Sequence, residues 1–88
     1  MRIQDTNDAE TLALAALGWA LAEPMRAQRL LALTGLTPED LRDRIGERAV
    51  LAAALGFLEA HEPDLIAAAD DLGIPPAELV EARRRLEE

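Results

Sequence analysis

The only histidine of the chain, His61, lies among acidic residues that could join it in metal or acid–base chemistry. Glu59, Glu62 and Asp64 are all within three positions of it. Zinc sites normally need three or four side chains that converge on one point. Pro63 indicates a break between two helices here, so these side chains do not share one helix face. We expect no metal site, and an imidazole that interacts with the dipole of a helix end.

Most groups that serve as nucleophiles or hold phosphate are missing. The chain has no Cys, no Ser and no Lys, which excludes thiolate and serine nucleophiles and a phosphate-loop lysine. Neither a GxGxxG nor a GxxxxGK pattern occurs. Asp70 and Asp71 resemble the start of a calcium loop, but Pro75-Pro76 interrupts the segment where further ligands would follow. We predict a protein that is not an enzyme, with no catalytic residue, no metal and no cofactor.

The basic residues are all Arg, and most fall in two groups: Arg42, Arg44 and Arg48, and Arg83 to Arg85. The net charge of −8 nevertheless opposes the phosphate attraction that dominates nucleic-acid binding. We expect the arginines to pair with acids three or four residues away: Asp40 with Arg44, Glu81 with Arg85, and Glu39 with Arg42. The prediction is therefore no nucleic-acid partner, and an acidic helix-turn-helix regulator is a distant third alternative.

Prolines and glycines divide the chain into helices, and no strand alternation is present. We expect Asn7, with Glu10, to form a capping box at the start of the first helix. Thr37 is expected to cap the third helix, and Gly35 and Gly73 to end the second and fifth in the left-handed conformation. The predicted helices cover about residues 7–22, 24–35, 38–45, 47–60, 63–72 and 76–86.

Two stretches of the sequence repeat at an offset of 38. Residues 15–19 read Ala-Ala-Leu-Gly-Trp and residues 53–57 read Ala-Ala-Leu-Gly-Phe. Residues 35–41 align with residues 73–79 at the same offset. Two copies are too few for a stacked solenoid. We therefore predict one all-α domain over residues 1–88, a compact bundle of two pseudo-symmetric three-helix units (7–46 and 47–88). Duplication and convergent helix start and stop signals both explain the repeat.

Residues 11–22 and 49–58 carry no charge, so their helices lack the polar face of a surface helix. The four short amphipathic helices cannot wrap both completely. We expect the two to cross near Gly18 and Gly56, with Trp19 and Phe57 beside the crossing. With Leu17 and Leu55, these are the candidate packing and interface residues. Apolar surface left over favours self-association, unless Ala-rich faces are simply tolerated in solvent.

The segment Leu33-Thr34-Gly35-Leu36-Thr37-Pro38-Glu39-Asp40-Leu41-Arg42 carries a family resemblance, together with residues 10–17 and Glu23-Pro24. The chain resembles the domain of unknown function 3572 family, small all-α proteins of alphaproteobacteria, over nearly its whole length. The resemblance implies an all-helical fold and a bacterial cytoplasmic source. It brings no catalytic residues.

The amino terminus lacks the apolar stretch of a signal peptide, and the longest uncharged run, residues 11–22, is shorter than the ~20 residues that span a bilayer. We expect a soluble cytoplasmic protein with no membrane partner. The leading functional prediction is a non-enzymatic interaction or assembly module that binds itself, as a homodimer, or another protein. The alternative is a small-ligand binder or minor enzyme with a pocket between the two units, near Trp19 and Phe57.

Overall fold

The computed structural model describes the backbone of residues 5–88 and the side chains of residues 9–88. This part of the chain forms six α-helices and no strand. The helices are α1 (Asp5–Leu21), α2 (Pro24–Thr34), α3 (Pro38–Arg44), α4 (Arg48–Glu59), α5 (Glu62–Leu72) and α6 (Pro76–Leu86). The predicted all-α bundle of six helices is confirmed.

The helix ends follow the local chemistry of the sequence. Thr37 and Asp40 form a capping box in which each side chain accepts the backbone N–H of the other residue at 3.0 Å. The hydrogen bond from the Thr37 backbone lowers the pKa of Asp40 below its ordinary value. Gly35 and Gly73 adopt φ angles of 78° and 74°, the left-handed conformation that glycine tolerates. The predicted start of α3 and ends of α2 and α5 are confirmed.

The predicted start of α1 is wrong. The helix begins at Asp5, two residues before Asn7, so Asn7 lies within its first turn and is not the N-cap. The residue types that favour the N-cap position also favour the first helical turn, which is why the sequence predicts this boundary too late.

Helix α4, which carries charge only at its end residues Arg48 and Glu59, lies at the centre of the bundle, packed against α1, α2, α5 and α6. Seven of its residues are buried: Val50, Leu51, Ala52, Ala54, Leu55, Phe57 and Leu58. These side chains cover more than half of the helix circumference, and Ala53 and Gly56 on the remaining side are half-buried. The other helices contribute mainly one buried face each. Burial of α4 is therefore the organising feature of the core.

The third helices of the two predicted units have different environments. α3 has no buried residue, and Leu41 only partly packs against the core. α6 buries Leu79, Ala82 and Leu86, which recur at three- and four-residue spacing, and it packs against α1, α4 and α5. The first residue of α5 lies 38 positions after the first residue of α2, and their last residues are separated by the same 38 positions. The pseudo-symmetric repeat stays a prediction, but α3 and α6 are not equivalent in packing.

Candidate functional site

The six residues singled out from the sequence lie in two kinds of environment. Leu17, Leu55 and Phe57 are in the core, with 5% or less of their surface exposed. Such side chains offer almost no surface to a partner. The other three lie further out: Gly18 is exposed, while Trp19 and Gly56 are half-buried.

The predicted close approach of helices at Gly18 and Gly56 is wrong. A Cβ atom added at Gly18 would meet nothing within 4 Å, and one at Gly56 would meet only Cδ of Arg83, at 3.9 Å. The buried side of α1 instead consists mainly of alanines: Ala9, Ala13, Ala16, Leu17 and Ala20. At 100° per residue, Gly18 lies on the opposite side of α1 from these residues. The alanines already allow α1 to pack closely, so no glycine is needed at the contact.

We expect Gly18→Ala to raise the free energy of unfolding by about 1 kcal/mol, because Gly is a poor helix former and the added methyl group clashes with nothing. Urea unfolding at low protein concentration, where self-association does not contribute, measures this change. Gly35→Ala is the matched control and should be destabilising, because Ala is strained at a φ of 78°. A destabilising Gly18→Ala would show that the glycine is needed inside the single chain.

Trp19 joins three helices. Its ring is covered by Arg26 of α2, whose guanidinium carbon lies 3.6 Å from the ring centroid in a cation–π contact. Its Nε1 donates a hydrogen bond to Oδ2 of Asp71 in α5, at 2.6 Å. Arg26 also donates to the backbone carbonyl of Trp19. These contacts give Trp19 a structural role between α1, α2 and α5.

Phe57 has a similar arrangement with the next arginine of α2. The guanidinium carbon of Arg29 lies 5.6 Å from the Phe57 ring centroid, and Arg29 forms an ion pair with Asp64. His61 Nδ1 lies 3.2 Å from Oδ2 of the same Asp64. His61 thus has a local carboxylate partner at the start of α5. Among the side chains that the structure describes, no three or more His, Cys, Asp or Glu residues are grouped so as to hold a metal ion.

Arg26 and Arg29 were not singled out from the sequence, yet they occupy the space beside both aromatic rings. Arg26 follows Trp19 by seven residues, across the short turn between α1 and α2, and this spacing could have suggested their contact. Arg29 and Phe57 are distant in the sequence, and no local pattern links them. The contacts around both rings do not favour a ligand pocket between the units, and that alternative stays a prediction.

The arginine groups are largely paired within the chain. Two of the predicted ion pairs form, Asp40 with Arg44 and Glu81 with Arg85, each with a nitrogen–oxygen distance of 3.4 Å. The third predicted pair is wrong, since no ion pair joins Glu39 to Arg42 among the described side chains. Arg83 connects α6 to α4 through Glu59, and this hydrogen-bonded carboxylate raises the arginine pKa above its ordinary value. More exposed pairs such as Glu81–Arg85 contribute little stability each.

Over residues 11–22, the solvent-facing side of α1 and of the turn that follows it carries no charged residue. It consists of five exposed residues, which we call the α1 face: Thr11, Leu14, Ala15, Gly18 and Ala22. Their three- and four-residue spacing aligns them in one stripe about 16 Å long. Leu14, the largest, is 44% exposed. The sequence predicts apolar surface in excess of what the bundle can bury, and the α1 face is the exposed part of the uncharged stretch over residues 11–22.

Other exposed apolar side chains lie among charges. Met25 and Leu33, at 68% and 72% exposure, are on α2, where Arg29 stands between them at helical spacing. Ile66, 50% exposed, is on α5, a helix with four acidic residues and no basic one. The α1 face is distinguished by having no charged member.

The sequence comparison with known families agrees with this all-helical structure. A family model described as a protein of unknown function (DUF3572) matches residues 6–88. The chain belongs to the DUF3572 family. The match confirms the resemblance seen in the Leu33–Arg42 segment. No curated protein and no solved structure matches this DUF3572 chain.

No helix in the described part of the DUF3572 protein combines the length and apolar character needed to cross a membrane. The longest, α1, has 17 residues.

Proposed function

We propose that this protein is a non-enzymatic interaction module that assembles as a homodimer through the α1 face. The observation that carries the proposal is the uncharged, solvent-facing stripe on the longest helix of an otherwise highly charged chain. Isolated apolar side chains are normal on protein surfaces, whereas a continuous uncharged stripe is characteristic of contact sites.

Charge favours a second copy as the occupant of the α1 face. In a two-fold symmetric dimer a surface patch meets its own copy, so any charge on the patch faces a like charge. Each protomer has a net charge of −8, and two protomers repel one another overall. The α1 face brings no charge of its own into such a contact, and apolar burial there gains about 25 cal/mol per Å².

The side chains of the α1 face also suit close packing of two helices. Ala15, Gly18 and Ala22 are small, so two copies of α1 can approach closely, with Leu14 filling the space beside them. Inside the single chain Gly18 has no close neighbour and weakens α1. A second copy of α1 packed here would give the glycine a structural purpose.

Sedimentation equilibrium over a range of protein concentrations tests the proposal. We expect the mass to rise with concentration to twice the 9.5 kDa of the chain and to level off there. A closed dimer is expected because a two-fold interface uses up the face on both partners. A mass that stays at 9.5 kDa at every concentration would contradict the proposal.

A further inference from the structure

α5 presents a second exposed apolar surface, which differs from the α1 face in its charge. An open depression of about 610 Å³ is lined by Glu62, Pro63, Ile66, Ala67 and Asp70, which we call the α5 face. These residues share one side of the helix, with Ile66 half-exposed near the middle. The lining is mainly apolar, and an acidic residue stands at each end.

The two acids of the α5 face have no partner within the described part of the chain. Asp64 on the same helix pairs with Arg29, and Asp71 accepts the hydrogen bond of Trp19. No ion pair or side-chain hydrogen bond engages Glu62 or Asp70. Eight residues separate them along α5, about 12 Å. The face thus presents two unpaired carboxylates on either side of an apolar surface.

This charge pattern opposes self-pairing of the α5 face, because a two-fold contact would place carboxylates against carboxylates. A complementary surface has basic groups about two helical turns apart with large apolar side chains between them. An amphipathic helix with Arg or Lys at that spacing meets this requirement, and helix-in-groove binding uses anchors of this kind.

We propose that the α5 face binds a basic amphipathic helix of another protein. The apolar side of that helix covers Ile66 and Ala67, and its basic residues pair with Glu62 and Asp70. This contact is separate from the dimer contact of the α1 face, so a dimer can bind one basic helix on each protomer.

The probe is a fluorescein-labelled synthetic helix with two Arg two turns apart and two Leu between them, in an Ala and Gln background. Its scrambled counterpart has the same composition and charge but no apolar stripe. Fluorescence anisotropy measures binding to the full chain carrying Leu14→Glu, which removes the α1 face as a competing site. We expect the amphipathic probe to bind. The affinity of the scrambled probe should be lower by about tenfold or more.

Matched variants locate the site. Glu62→Arg with Asp70→Arg should weaken binding of the probe by about tenfold or more, and Ile66→Ala should weaken it several-fold. The control, Asp43→Arg with Glu78→Arg, changes the net charge equally at two other exposed acids without ion partners in the described region and should have little effect. Circular dichroism verifies that each variant is folded.

Three results would overturn the proposal. The first is no binding up to about 1 mM probe. The second is equal binding of both probes, or equal loss in both double variants, which would show unspecific charge attraction. The third is a change of the wild-type oligomeric mass on introducing the α5 variants, which would show that a second copy occupies the face.

Discussion

Leu55→Ala lowers the free energy of unfolding by about 3 kcal/mol, the largest stability change that we expect from a single substitution here. Leu55 is fully buried in α4, which packs against four other helices and has seven buried residues. Truncation removes apolar contacts and leaves a cavity, and neighbours held from several sides cannot close it. Domains of this size are only a few kcal/mol more stable than their unfolded state. A large fraction of the molecules is then unfolded at 37 °C.

Urea unfolding followed by circular dichroism measures this loss. The control is Leu33→Ala, the same substitution at a leucine that is 72% exposed, and its effect should stay within about 0.5 kcal/mol. A change below about 1 kcal/mol for Leu55→Ala would contradict the placement of α4 at the centre of the core.

The second large effect concerns assembly. Leu14→Glu should weaken the homodimer about 100-fold or more, because the two-fold axis brings two buried, unpaired carboxylates into the contact. The folded single chain should be almost unaffected, since Leu14 is 44% exposed and its side of α1 contacts solvent. Sedimentation equilibrium of the variant reports the dissociation constant, and circular dichroism reports the retained helices.

Leu33→Glu is the matched control for this assembly prediction, because it introduces the same carboxylate at an exposed leucine of α2. Its dimer should have nearly the wild-type dissociation constant. If Leu33→Glu dissociates the dimer and Leu14→Glu does not, copies of the chain associate through α2, and the α1 face is not the interface.

The helix boundaries could be predicted closely because they depend on neighbouring residues. Proline fits the first turn of a helix and glycine the left-handed position after it, so Pro24, Pro38, Gly35 and Gly73 mark boundaries without reference to the rest of the fold. The acidic start of α1 shows the limit of this approach, since cap residues and first-turn residues are chemically alike.

Which side of the uncharged stretch of α1 faces solvent could not be predicted. In α1 the buried and exposed sides both consist of small uncharged residues, so the sequence contains no periodic contrast that separates Gly18 from Ala16. The choice depends on packing against α4 and α6, which is a long-range property. The contact of Arg29 with Phe57 was hidden for the same reason.

The α5 face was also missed, although its acids were noticed. In the sequence, Asp70 and Asp71 resemble the start of a calcium loop, and nothing distinguishes Ile66 from the other apolar residues of its helix. The tertiary contacts separate the two aspartates. Trp19 donates a hydrogen bond to Asp71, whereas Asp70 stays unpaired at the edge of an apolar depression. Sequence indicates which residues are acidic, and tertiary contacts determine which of them are available to a partner.

An isotope-filtered NOE experiment tests the α1 contact most directly, on a mixed sample of labelled and unlabelled wild-type chain. It detects only contacts between protomers and requires no substitution, and a dimer of two 9.5 kDa chains is well within its range. We predict intermolecular NOEs from the methyl groups of Leu14, Ala15 and Ala22. Their absence from a sample of dimeric mass, or intermolecular NOEs from Met25 and Leu33 in their place, would contradict assembly through the α1 face.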